Sequence, residues 1–219
     1  MVPIICFVGA SDCGKTTLLE KVISVLRNRG YKVGIIKNDT HGFEIDKEGK
    51  DTYRLKQAGA NSVIISGPDK YAIISDADKF YSLDDFAFYI GDKTDIILTE
   101  GFKSSKKPKI ELFLDGTSTE ILCKDDETLV AVATNNKEKI KMLTKRPILD
   151  INNPEEISNF IEQHYLNKKK RKLFLMVNGK KIKIKDFVED IVTSTIIGMV
   201  SELKDCSDPK DIRIVIKDE

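Results

Sequence analysis

The chain has 219 residues, enough for one large or two unequal domains with a substantial core. Its 36 Lys and Arg against 35 Asp and Glu leave a net charge of +1, so no global field points to nucleic acid or an acidic partner. No basic leader with a long apolar core opens it, no apolar run reaches membrane-spanning length, and Cys6, Cys13, Cys123 and Cys206 lack metal or redox spacing. The expectation is a cytoplasmic protein with reduced thiols, bound to neither membrane nor nucleic acid.

Residues 4–8, Ile-Ile-Cys-Phe-Val, form a short apolar run that predicts a buried parallel strand. Gly9-Ala10-Ser11-Asp12-Cys13-Gly14-Lys15-Thr16 follows, and apolar residues at 18, 19, 22, 23, 25 and 26 then predict a helix. Strand, glycine loop and helix together make this spacing a phosphate-binding loop. Backbone N–H groups from Gly9 to Thr17 and the helix N-terminus converge on one spot and favour an anion there. Lys15, expected to be solvent-facing, reaches the outer phosphates, and the Thr16 hydroxyl holds a Mg²⁺ that bridges them. The later Gly49-Lys50 pair is no second loop, because Glu44 and Asp51 stand where Gly and a hydroxyl residue are required.

Gly30 reads as a helix stop, residues 31–37 as a second strand and 50–58 as a short helix closed by Gly59. Residues 62–66 read as a third strand, joined in a hairpin to 71–75 across Gly67-Pro68-Asp69. A helix at 83–90, a buried strand at 95–100, and strands at 110–114, 121–122 and 129–133 follow. Residues 154–165 read as a helix capped by Asn153. This alternation predicts an α/β fold of the P-loop NTPase kind: a mostly parallel sheet with helices on both faces and the segments near 71 and 121 at its periphery.

The composition changes at the basic run 168–172, read as a linker between a nucleotide-binding domain, 1–166, and a small α+β appendage, 173–219. The appendage shows a hairpin across Asn178-Gly179, a long helix over 186–203 and a final strand over 212–216. That helix carries too many apolar residues for one narrow stripe, so part of it packs on the main domain or a second subunit.

Ligands of such sheets bind at the carboxyl ends of the strands, which turns position in the sequence into site membership. Glu100 ends a buried strand there and suits the metal, directly or through water, whereas Asp95 starts the same strand and lies at the opposite edge. Lys37 and Asp39 follow the second strand; Lys37 suits an anion, and Asp39 either orients an attacking water or forms a turn. Lys15 and Asp39 are the candidate catalytic residues. His41 is either a positioning group or incidental, and Lys103, Lys106, Lys107 and Lys109 either meet phosphates or solvate a loop. Asn136-Lys137-Glu138-Lys139 approaches the Asn-Lys-x-Asp guanine reader but lacks its Asp.

Several segments together resemble the MobB family of molybdopterin-guanine dinucleotide biosynthesis proteins. They are Val8-Gly9 to Thr17, Arg29-Gly30-Tyr31-Lys32-Val33-Gly34, Thr40-His41-Gly42-Phe43, Gly49-Lys50-Asp51-Thr52-Tyr53-Arg54, Thr99-Glu100-Gly101-Phe102-Lys103 and Pro108-Lys109-Ile110-Glu111. The resemblance covers residues 2–165. It implies a homodimeric protein that binds GTP with Mg²⁺, hydrolyses it slowly and acts beside the MobA-type guanylyltransferase that joins GMP to molybdopterin. Asn38 stands where the family pattern has His, and the segment from residue 168 onward is an extension of the family core. A P-loop kinase of a small molecule and a metallochaperone GTPase are the other classes the loop admits. Kinases of this kind carry arginine-rich lids and metallochaperones His- or Cys-rich tracts, and the sequence shows neither.

Overall fold

The computed structural model describes residues 2–39, 42–77, 81–166, 173–207, 209 and 212–216. In chain order the elements are β1 (Ile4–Gly9), α1 (Lys15–Asn28), β2 (Val33–Lys37), α2 (Asp51–Gln57), β3 (Ser62–Ser66) and β4 (Tyr71–Ser75). Next come α3 (Leu83–Ile90) with a 3-10 turn at Gly91–Lys93, β5 (Ile96–Glu100), β6 (Lys109–Phe113), β7 (Leu129–Thr134), α4 (Lys137–Lys141) and β8 (Ile148–Asp150). The chain closes with α5 (Pro154–Ile161) and its π-helical continuation Glu162–Leu166, then β9 (Met176–Val177), β10 (Lys180–Lys181) and α6 (Asp186–Ser201).

Six strands form one all-parallel sheet in the order β2-β5-β1-β6-β7-β8. A parallel sheet buries both faces, so its inner strands are continuously apolar, as in β1. Ile5 and Phe7 face α1 and α5, packing with Leu18, Val22, Leu26, Ile157 and Ile161. Ile4, Cys6 and Val8 face the other layer, with Leu83 and Ala87 of α3 and Ile140 of α4. Helices therefore cover both faces, as the sequence pattern predicts. Local signals act as read: Asn153 Oδ1 accepts from the Glu156 N–H at 3.1 Å and caps α5, and Asn178 and Gly179 take the two positive φ angles of a tight hairpin turn.

Three expectations are corrected. The third strand, 62–66, does not join the sheet; β3 and β4 pair only with each other, as a separate antiparallel ribbon. Residues 121–122 form a turn, because the buried Glu111 carboxylate takes the N–H groups of Leu122 and Cys123 at 2.6 and 2.8 Å and so satisfies donors a ladder would otherwise use. Burial pushes that carboxyl above its usual range, against the pull of these two donors. Among the described residues, 212–216 join no sheet, and Arg213 there forms an ion pair with Asp92. The short α4 and β8 carry too few residues to show a period, and the sequence pattern misses them.

The C-terminal segment leans on α3. Phe174 stacks edge-on against Phe88 with centroids 5.9 Å apart and fills a notch over Gly91, where a Cβ would lie 2.7 Å from its ring. Lys181 pairs with Asp84 at 3.3 Å beside this contact. The linker run 168–172 lies outside the described residues.

Candidate phosphate and metal site

The loop after β1 turns through three positive φ angles, at Gly9, Asp12 and Gly14. At Gly9 no side chain fits: a Cβ would lie 2.6 Å from the Leu112 carbonyl oxygen. Gly14 sits in the left-handed region directly ahead of α1, which aims the first N–H groups of the helix into the concavity of the loop. Among them are those of Lys15, Thr16 and Thr17, at the positive end of a 14-residue helix. Ala10, Ser11 and Asp12 form the outer rim. Cys13 instead turns inward, fully buried in the core below, and burial pushes its thiol upward. It acts as packing.

Lys15 is half-buried rather than solvent-facing. Its ammonium folds over the loop and donates to the Ala10 carbonyl at 2.5 Å and the Gly9 carbonyl at 3.4 Å. A half-buried ammonium needs hydrogen-bond acceptors, and the loop's own carbonyls supply them, which is the physical reason for the correction.

Alternation along β5 explains the metal candidates. Ile96 and Leu98 face α1, so Glu100 two residues on faces it too, and its Oε2 accepts from Thr16 Oγ1 at 2.8 Å. A hydroxyl and a carboxylate this close supply two hard oxygen donors; Mg²⁺ takes its remaining ligands from water and phosphate, so the pair fits that ion. Among the described residues no cluster of three or more His, Cys, Asp or Glu side chains forms a metal site of its own. Lys37 lies in register with Glu100 on the neighbouring strand and is exposed at the same edge. Asn38 N–H donates to the Glu100 carbonyl at 3.0 Å, and Asp39, exposed, follows it. His41 falls outside the described residues. Asp95 sits at the far edge as expected, accepting from the Lys32 N–H at 2.8 Å.

Two lysines of the 103–109 group leave the candidate list. After β5 the chain crosses back to the opposite edge to begin β6, so Lys109 is buried there and pairs with Asp126 at 3.0 Å, while Lys107 pairs with Asp84 at 2.7 Å. Both charges are spent on structure.

The sheet edge also assembles a cluster that the sequence pattern leaves scattered. Asp115, in the turn after β6, accepts from Asn136 Nδ2 at 2.8 Å and Lys139 Nζ at 2.5 Å. Its own N–H donates to Asn135 Oδ1 at 2.8 Å. The Lys139 ammonium, then the Asn136 amide, hold its carboxyl below the usual range. The available signal was an Asp directly after one apolar run and an Asn-Asn-Lys segment directly after the next.

A parallel sheet with a glycine loop feeding an α-helix, a lysine over that loop, and a hydroxyl–carboxylate pair beneath it define a P-loop nucleotide-binding protein. Residues 4–135 match the family described as molybdopterin guanine dinucleotide synthesis protein B, MobB, and the chain belongs to that family. It is 41% identical over 162 residues to a molybdopterin-guanine dinucleotide biosynthesis adapter protein of Haemophilus influenzae, covering 74% of this chain and 88% of the relative. A similar protein of Methanocaldococcus jannaschii, described as a putative adapter of that pathway, is 27% identical and aligns over 97% of both chains, the C-terminal segment included. The crystal structure of Bacillus subtilis MobB superposes with a TM-score of 0.59 at 26% identity, covering 76% of this chain and 99% of that one.

Proposed function

We propose that this protein is a GTP-binding adapter of molybdenum cofactor biosynthesis, assisting the enzyme that transfers a guanylyl group to molybdopterin. Membership of the MobB family and the adapter names of its relatives support the pathway. The observation that carries the nucleotide role is the convergence of Lys15, Thr16 and Glu100 on the mouth of the glycine loop. Loop amides and Lys15 hold the β- and γ-phosphates, Thr16 and Glu100 hold Mg²⁺, and Lys37 lies beside them. The metal, when bound, neutralises charge on the phosphates. Asp39 orients water at the γ-phosphate, and with no arginine finger supplied by the described residues hydrolysis is slow. Molybdopterin either reaches this chain or stays with the partner enzyme.

The protein acts as a homodimer in the cytoplasm. Support for the dimer comes from the β3–β4 ribbon, whose Ile64, Ile65, Tyr71 and Ile73 are all exposed, a set an isolated monomer rarely leaves open. No helix of the described residues is long and apolar enough to cross a membrane.

A titration of GTP and ATP with and without Mg²⁺, followed by capture of purified molybdopterin guanylyltransferase, tests this reading. Mg²⁺-dependent GTP binding and a retained partner support it. No binding of either triphosphate overturns it.

A further inference from the structure

We propose that Asp115 is the base-reading carboxylate of this chain and selects guanine, with Asn136 and Lys139 as its positioning residues. The inference rests on the nucleotide reading above and names the group that gives it specificity. With phosphates against Gly9 to Thr17, the side of the loop toward β5 is taken by Glu100 and by Asn38, whose Cβ would lie 3.3 Å from one added at Gly101. The nucleoside therefore extends the other way, over the ends of β6 and β7. Strands stand about 4.8 Å apart, so the end of β7 lies roughly 10 Å from β1, a span a nucleoside bridges.

Asp115 occupies that position on a tight turn, with the Thr117 and Ser118 N–H groups closing on the Leu114 carbonyl at 3.1 and 2.8 Å. A carboxylate offers about four lone-pair sites on two oxygens. Asn136 uses one on Oδ2, Lys139 one on Oδ1 and the neighbouring Gly116 N–H a further one, so the carboxylate keeps spare accepting capacity, and the side chain is 32% exposed to receive a ligand. Two parallel acceptors match the adjacent N1–H and 2-amino donors of guanine. Adenine presents a lone pair and a C–H at that edge, and would leave the carboxylate facing an acceptor. The other carboxylate of the segment, Glu138, pairs with Lys141 and is 81% exposed on the outer face of α4.

The test is titration of the full chain with Mg²⁺ and four triphosphates: GTP, ITP (which lacks the 2-amino group), XTP and ATP. The wild type should prefer GTP to ITP by about tenfold and to ATP by more. Asp115→Asn exchanges one acceptor for a donor, so GTP should weaken at least tenfold while XTP, with an oxygen at position 2, overtakes it. Lys139→Ala should lower the GTP-to-ATP ratio and Lys139→Arg should restore it, a readout that a purely structural role would not move. An equal loss for all four ligands in Asp115→Asn, or unchanged GTP affinity, overturns the inference. So does a wild type that binds triphosphates without preference, which leaves the nucleotide reading standing; a wild type that binds none removes both.

Discussion

The Thr16 hydroxyl donates to Glu100 Oε2 across 2.8 Å, tying the first turn of α1 to the end of β5. On the proposed reading a divalent ion would use both oxygens, and the hydrogen bond would hold them in place for it. Glu100→Gln keeps the size and an acceptor but removes the charge. Mg²⁺-dependent GTP affinity should fall about tenfold or more, roughly 1.4 kcal/mol, while affinity measured in EDTA changes little. Equal losses with and without Mg²⁺ would place the metal elsewhere.

Lys15→Ala removes the only side-chain ammonium held over the loop by its own carbonyls at 2.5 and 3.4 Å among the described contacts. Triphosphate binding should drop by about a hundredfold, in line with the loss of charge-assisted bonds to phosphate. The melting temperature should move little, because the Ala10 and Gly9 carbonyls lie at the open mouth, where water replaces the ammonium.

How much of this was legible in the sequence divides along physical lines. The glycine loop, the flanking strand and helix, and Glu100 were readable because each obeys a local rule: fixed spacing, period, or position at a strand end. Lys109 was misread because its burial depends on a crossover returning it to the opposite edge, next to Asp126. The β3–β4 ribbon was legible as a hairpin but not as a separate sheet, since strand pairing beyond the turn is a tertiary choice. Asp115 and Asn136 stand 21 residues apart, and no periodicity brings them together.

The exposed ribbon gives a test of assembly. Ile64 and Ile73 pair across β3 and β4 and are 65% and 58% exposed. Ile73→Glu places a charge in the centre of that face, where burial against a second copy is costly. Light scattering should show the wild type as a dimer and the variant shifted toward monomer by at least tenfold in dissociation constant. A dimer unaffected by the change would mean that another face joins the subunits.

The C-terminal segment should come off its seat when the Gly91 notch is filled. Gly91→Val puts methyl groups where Phe174 now lies, 2.7 Å from the position of a first side-chain carbon. Protease cleavage between residues 166 and 173 should accelerate several-fold, with nucleotide affinity unchanged if 1–166 folds as its own domain. Loss of nucleotide binding in the same variant would show the two segments to be one cooperative unit.

Lys109 has a fully buried side chain, and its ammonium reaches Asp126 at 3.0 Å, Thr128 Oγ1 at 2.5 Å and the Ser105 carbonyl. The Thr128 hydroxyl and N–H, with Lys109, depress the Asp126 carboxyl from 3.8 to about 2. A depressed folded-state value means the stabilisation is complete above the unfolded value near 4 and is lost as pH falls toward 2. Asp126→Asn strands a buried charge, a change that usually costs 3–5 kcal/mol. Here about 2 kcal/mol is expected, because Asp126 is a third exposed and three neutral acceptors, the Ser105 and Lys107 carbonyls and Thr128 Oγ1, remain on Lys109. Urea unfolding at pH 7 should show that loss, and the gap between variant and wild type should close between about pH 4 and pH 2. A constant gap across that window would detach the stability of this corner from the charge on Asp126.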